Sequence, residues 1–347
     1  MKERLPYLLL IVILGLGGDG AALAARAPIP ERVGSPYLSA LVVNAGTGAV
    51  FFEDNADAPS YPASIVKLMM LLILQEKIDA GTLRLEDPVQ VTAEASRIGG
   101  SQVYLKEHEI FSVEELLYSL IIQSANDSAV ALATHVAGSP EAFVRLMQER
   151  AERLGMTSTS FRSVHGLPPA ARQEPDTTTA RDLAKLAVEL ARHPDIFRYT
   201  SATSRPFRNG SFEMRSHNRL LGSLEGCDGL KTGYFKLGGY SIVASTSRRG
   251  VRFLAIVLGS KTRQQRDAKA RELLTKAFSS TILPPPTPDQ RSVSRPIPVL
   301  TPAGPGGTPA AEERPAPHPS GGYPLLVLLP ILVAVAGLFF WLGSRRR

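Results

Sequence analysis

Tyr61-Pro62-Ala63-Ser64-Ile65-Val66-Lys67-Leu68-Met69-Met70-Leu71-Leu72 is the stretch that organises the rest of this chain. The apolar run 65–73, broken only by Lys67, continues to Glu76 and Lys77. Apolar residues on every side of the helical wheel predict a helix buried all round. Ser64 and Lys67 stand at i and i+3 at its start, so they share a face and the amine lies within reach of the hydroxyl. The unpaired N–H groups of a helix N-terminus are suited to an oxyanion.

Outward from this helix, residues 37–43 and 49–53 are apolar runs separated by Asn44-Ala45-Gly46-Thr47-Gly48, which predicts a hairpin. Ser112-Val113-Glu114-Glu115 is a capping box that opens a helix through Leu116, Leu117, Leu120 and Ile121. Asp127 is positioned to cap the next helix, which ends near Gly138, and Ser139-Pro140 starts another that ends near Gly155. Residues 178–190 are helical again. Strands are predicted over 228–231, 240–245 and 252–258, with Arg248-Arg249-Gly250 as a turn, and a helix over 264–278 closes the body. Strands at both ends and helices between them predict an α/β (α+β) fold: an antiparallel sheet built from the two ends, flanking helices and a helical insertion.

Two further motifs complete a chemistry with Ser64 and Lys67. Ser124-Ala125-Asn126 is a short polar break in an apolar helical pattern, a natural place to present side chains into a cleft. Lys231-Thr232-Gly233 follows Asp228-Gly229 on a strand. Together they supply a hydroxyl nucleophile (Ser64), an amine base (Lys67), a proton relay (Ser124) and a cationic anchor for a carboxylate (Lys231, with Thr232). Lys67 must be neutral to act as a base, and both burial and a second cation at Lys231 would lower its pKa. Asn126 is assigned to hydrogen-bond the substrate backbone. Gly233 would let that backbone lie against the strand edge, and the Tyr234 N–H would complete an oxyanion hole with that of Ser64. Ser216-His217-Asn218 also fits S-x-N but precedes Lys231 too closely, and Lys261-Thr262-Arg263 lacks the glycine.

The chain of 347 residues is 44% hydrophobic, enough for one sizeable core with a subdomain. Its formal charge of +7 includes Arg345, Arg346 and Arg347. A mild basic excess without an aromatic–basic stripe fits an anionic substrate or cell-wall polymer, and no nucleic acid is expected. Cys227 is the only cysteine, so an intramolecular disulfide is excluded, and it reads as a small buried hydrophobe. The six histidines show no metal-ligand spacing, so neither metal nor cofactor is expected.

Both ends carry membrane signals. Lys2 and Arg4 precede the apolar run 8–16, and Ala22-Leu23-Ala24 offers a cleavage site, so residues 1–24 read as a secretory signal peptide. Residues 35–280 form the folded body. Residues 281–322 hold 12 of the 27 prolines and read as a semi-extended tether. Residues 323–342 are uncharged and long enough for a transmembrane helix, and 343–347 are a basic tail suited to the cytoplasmic side.

At the three motifs the chain resembles the D-alanyl-D-alanine carboxypeptidase family of low-molecular-mass penicillin-binding proteins, for which S-x-x-K, S-x-N and K-T-G are known signatures. The likeness covers roughly residues 35–280. It extends to Gly100-Ser101-Gln102-Val103-Tyr104-Leu105-Lys106-Glu107, His165-Gly166-Leu167, Thr179-Ala180-Arg181-Asp182-Leu183-Ala184 and Asp228-Gly229-Leu230-Lys231-Thr232-Gly233-Tyr234. The resemblance implies a β-lactamase/transpeptidase-like fold and removal of terminal D-alanine from peptidoglycan stem pentapeptides through a serine acyl-enzyme. It also implies covalent capture by β-lactams and a place at the bacterial cytoplasmic membrane with the body on the periplasmic side. It further implies that Arg266 helps bind the terminal carboxylate. Two features depart from the family: a proline-rich segment and an apolar span stand where many members carry a small β-rich domain and an amphipathic membrane helix, and Ile65 and Val66 replace the small or polar residues often seen inside the first motif. A DD-endopeptidase acting on cross-links would use the same residues, and a non-catalytic peptidoglycan- or penicillin-binding module would keep the cleft without the chemistry. A β-lactamase needs an E-x-x-L-N stretch between the second and third motifs, and none occurs.

Overall fold

The computed structural model describes residues 34–168 and 173–285. The signal peptide expected over 1–24, nearly all of the 281–322 tether, the 323–342 span and the 343–347 tail lie outside these residues. Among the described residues, no helix is long and apolar enough to cross a membrane.

The expected hairpin is β1 (Ser39–Asn44) and β2 (Val50–Asp54). Its turn is fixed by Asn44, whose side-chain carbonyl accepts from the N–H groups of Gly46 and Thr47. The helical middle begins with α1 (Lys67–Asp79) and α2 (Ala93–Arg97), with the short strand β3 (Pro88–Gln90) between them. After β4 (Ile110–Ser112) come α3 (Val113–Tyr118), α4 (Asn126–Ala137), α5 (Pro140–Arg153), α6 (Ala180–Leu190) and α7 (Phe197–Thr200). A second short pair, β5 (Ser204–Phe207) and β6 (Phe212–Arg215), leads to β7 (Cys227–Phe235), β8 (Gly239–Arg248), β9 (Val251–Ser260) and α8 (Arg263–Ser279).

The main sheet has five antiparallel strands in the order β2-β1-β9-β8-β7. Its centre is the pairing of β1 with β9, so the two ends of the body are joined as the sequence predicts. The small sheets β3–β4 and β5–β6 are not anticipated: strands of three and four residues are too short for alternation to register.

The central strands of the sheet are buried on both faces, and they sort their side chains with a period of two. Leu41 and Val43 of β1, with Leu254, Ile256 and Leu258 of β9, join the large core shared with α1, α4 and α6. Their neighbours Ala40, Val42, Phe253, Ala255 and Val257 face the other way and pack with Ala270, Leu273, Leu274 and Ala277 of α8. α1 is the axis of the larger core, with every residue from Lys67 to Gln75 buried. At about 25 cal/mol per Å² of apolar surface, each such Leu or Met contributes roughly 2 kcal/mol before entropy is counted.

Local signals explain most boundaries. Ser112 and Glu115 form the capping box of α3, and Ser139 caps α5 with Pro140 at its first position. Two local expectations are corrected. The N-cap of α4 is Ala125, not Asp127. Asp127 lies inside the first turn, and its carboxylate accepts from the N–H groups of Val103, Leu105 and Ser128, tying the 103–105 segment to the helix. The helix expected through Ile121 leaves α geometry after Tyr118 and finishes as a wider π turn over Ser119–Gln123.

Candidate active site

Ser64 lies in a 3₁₀ turn, Ala63–Val66, that leads into α1, so the tighter turn carries the hydroxyl and the α-helix begins at Lys67. Lys67 is wholly buried, with its Nζ 3.1 Å from Ser64 Oγ, 2.7 Å from Asn126 Oδ1 and 2.9 Å from the His165 carbonyl. Burial, and then the charge on Lys231, hold the Lys67 amine well below a lysine's usual pKa, while Asp127 and Asp176 pull weakly the other way.

Ser124 sits where the π turn ends, with a left-handed backbone (φ 61°) that turns its side chain towards β7. There Lys231 Nζ donates to Ser124 Oγ at 3.0 Å and to the Thr232 carbonyl at 3.0 Å. Lys231 is buried too. Desolvation, then the nearby Arg266, lower its pKa to about 7. Thr232 and Arg266 are also buried, and Arg266 is held by Asp267 through Nε and Nη2 at 2.8 and 2.6 Å.

β7 is an edge strand, with β8 as its only partner in the sheet, and its other side faces the turn that bears Ser64. Gly233 is what allows this approach: a Cβ there would lie 2.4 Å from the Pro62 carbonyl oxygen and 3.3 Å from the Ala63 Cβ. This glycine therefore has a packing role against the protein's own turn, which the sequence does not suggest. Gly166, at φ +75°, packs in the same way, since a Cβ would meet the Ala63 carbonyl oxygen at 2.1 Å. That contact brings the 163–167 segment against the turn and presents the His165 carbonyl to Lys67. The segment is held in turn by Asp176, whose carboxylate accepts from the N–H groups of Arg162 and Ser163 and from the Ser163 hydroxyl.

Ser64, Ser124, Asn126, Thr232, Gly233, Tyr234 and Arg266 all line one cleft of about 260 Å³, with Lys67 and Lys231 buried in its wall. Every residue assigned from sequence is therefore brought together. Asn126 differs in its partners: Oδ1 takes the Lys67 amine, and Nδ2 donates to the Gly99 carbonyl at 2.7 Å. Its amide acts first to hold the lysine.

Sequence reasoning overlooks Ser101, His217, Tyr240 and Arg263, which also line the cleft. Two of them belong to motifs set aside. Ser216-His217-Asn218 places His217 in the cleft, while buried Asn218 braces β7 by donating to the Gly229 carbonyl at 3.1 Å. In Lys261-Thr262-Arg263, Thr262 caps α8 and Arg263 faces the cleft. Cys227, expected to be buried, is only half-buried at the start of β7.

Among the described residues, the one group of side chains close enough to share a metal ion is Glu76, Glu189 and His193, away from the cleft. Arg150 already bridges the two glutamates at 2.6 and 2.8 Å.

This chain is 32% identical to D-alanyl-D-alanine carboxypeptidase DacF of Bacillus subtilis over 282 residues, covering 80% of this chain and 72% of the relative. It is 34% identical to DacC of Escherichia coli over 281 residues, covering 77% and 69%. Among solved structures, D-alanyl-D-alanine carboxypeptidase DacD from Francisella tularensis superposes with a TM-score of 0.66 at 27% identity, covering 75% of each chain. Penicillin-binding protein D2 from Listeria monocytogenes, solved in its ampicillin-bound form, gives 0.64 at 29% identity, covering 72% of this chain and all of that one. The Peptidase S11 family, described as D-alanyl-D-alanine carboxypeptidase, matches residues 33–262, and the chain belongs to that family.

Proposed function

We propose that this protein is a serine-type D-alanyl-D-alanine carboxypeptidase in which Ser64 is the nucleophile and Lys67 its base. The observation that carries this reading is the coordination of Lys67. A neutral amine has two N–H groups and one lone pair. Asn126 Oδ1 and the His165 carbonyl take the two N–H groups. The lone pair is left for the Ser64 hydroxyl at 3.1 Å. Burial beside Lys231 favours that neutral form.

Ser64 Oγ attacks the carbonyl between the two D-alanines, and its proton passes to Lys67. The N–H groups of Ser64 and Tyr234 receive the developing oxyanion. Ser124, hydrogen-bonded to Lys231, passes a proton to the leaving nitrogen, and the C–N bond breaks. Lys231, Thr232 and Arg266 hold the terminal carboxylate. Water then attacks the acyl-enzyme and frees Ser64. A β-lactam takes the same path as far as the acyl-enzyme, which makes it a covalent inhibitor.

The substrate is the stem pentapeptide of peptidoglycan. Secretion through 1–24, a tether at 281–322 and anchorage through 323–342 to the cytoplasmic membrane would present the body on the outer side. Their support is the hydropathy and charge of those segments.

Fluorescent penicillin should label the protein at one site, and a pentapeptide should release one D-alanine. The Ser64→Ala variant should do neither. Labelling that survives in Ser64→Ala would refute the assignment. Breakdown of cross-linked dimers with pentapeptides left intact would favour the endopeptidase reading.

A further inference from the structure

The leaving-group side of the cleft carries more positive charge than one terminal carboxylate requires. Arg266 and Arg263 stand three residues apart on α8 and so share a face. Both line the cleft, and among the described residues that line it none is acidic. Arg266 is buried and already paired with Asp267. Arg263, the first residue of α8, is exposed, and its guanidinium makes no hydrogen bond or ion pair with any described residue. Its charge is felt inside the cleft: together with burial and Lys231 it keeps the His217 ring neutral, with a pKa lowered to about 4. In the same cleft the Tyr234 and Tyr240 rings stack at 4.1 Å between centroids, with Tyr234 54% exposed. The cleft thus holds both an aromatic wall and an unneutralised guanidinium, a combination that suits a short aliphatic chain ending in an anion.

We propose that Arg263 and the Tyr234–Tyr240 stack form a second anion subsite, one helical turn beyond Arg266, for a leaving residue that carries a second carboxylate. Such a residue is a dicarboxylic amino acid such as D-glutamate, or a diamino dicarboxylic acid at the C-terminus of its own stem, where its second carboxyl is not tied up in an amide. The subsite rests on the carboxypeptidase reading above. The reaction is unchanged: the ester to Ser64 Oγ forms, the C–N bond to the dicarboxylic residue breaks, its amine takes the proton from Ser124, and water restores the serine. The new element is which amine leaves best. Terminal D-alanine uses Arg266 with Lys231 and Thr232, whereas a leaving group with a second free carboxylate uses Arg263 as well.

The test uses N-acylated L-lysyl-D-alanyl-D-X peptides, with X as D-alanine, D-glutamine or D-glutamate. D-Glutamine and D-glutamate have nearly the same shape, so their ratio of kcat/KM isolates the charge. The wild type should prefer D-glutamate over D-glutamine by about tenfold, the worth of one charge-assisted hydrogen bond. Arg263→Ala should bring the ratio to about one, and Arg263→Lys should keep part of it. Fluorescent-penicillin labelling of Ser64, run on the same samples, reports whether each variant keeps its site. A wild type without the preference, or an Arg263→Ala variant that labels and keeps it, would overturn the subsite and leave the carboxypeptidase reading intact. A wild type that neither labels nor cleaves any peptide would overturn both.

Discussion

Lys231 donates to the Ser124 hydroxyl across 3.0 Å, although 107 positions of chain separate the two. The bond joins the edge strand of the sheet to the π turn that ends the α3 region, and in the proposed mechanism it sets where a proton is handed to the leaving nitrogen. Ser124→Ala removes the relay but keeps the cleft. Acylation by fluorescent penicillin, followed by stopped flow, should slow about 10²-fold. Its melting temperature should move by only a few degrees. A rate within threefold of wild type would place the relay elsewhere.

Gly233→Ala tests the packing of β7 against the nucleophile's turn. The added methyl would sit 2.4 Å from the Pro62 carbonyl oxygen, so one backbone must shift. The expected cost is about 1–3 kcal/mol of stability, together with loss of acylation as Ser64 moves relative to Lys67. Gly99→Ala, where a Cβ meets nothing within 4 Å, should change stability by about 0.5 kcal/mol or less. Denaturant unfolding of the two variants gives the comparison.

The two lysines have opposite requirements, which makes activity bell-shaped in pH. Lys67 works neutral, and burial beside Lys231 lowers its pKa, so kcat/KM rises with pH as Lys67 loses its proton. Lys231 works charged, and with its pKa near 7 in the free enzyme, kcat/KM falls above that point. Lys231→Arg keeps its charge to much higher pH. The alkaline limb of its profile should therefore move upward, even if the rate at the optimum is lower. An alkaline limb that stays in place would assign it to another group.

The same burial carries a linkage effect on stability. Lys231 has a folded-state pKa of about 7 against a reference of 10.5, so between these values the unfolded chain binds a proton that the native protein does not. Stability therefore rises with pH through that window, by at most about 1.4 kcal/mol per pH unit for this one group. Lys231→Met should flatten the rise by that share. Urea unfolding at pH 8 and pH 9.5 would show it, and an unchanged slope would mean that the lysine is charged in the native state.

Much of this was readable from residue order alone, for reasons that differ by element. The 65–73 run specifies a helix buried on all sides because no polar stripe interrupts it, and α1 is buried as read. Ser64 and Lys67 could be paired because one turn of helix fixes their spacing. The three motifs could be assembled in one cleft only through family resemblance, since nothing local states that residue 231 approaches residue 124. What escaped the reading depended on neighbours distant in sequence. Asp127 looks like a cap, yet its partners are the N–H groups of Val103 and Leu105. The packing of Gly233 against the Pro62 carbonyl is equally invisible in the local sequence. Arg263 lies in a motif set aside for lacking a glycine and His217 in one set aside for its place in the chain, although the cleft recruits single side chains and not whole motifs.

Lys67 reaches Asn126 across 59 positions and His165 across 98. In the proposed mechanism, a serine activated in this way cannot exist in any fragment or half-folded form of the chain. The penicillin adduct at Ser64 is then a covalent count of correctly folded molecules, one that a crude extract or a denaturant series could record without purification.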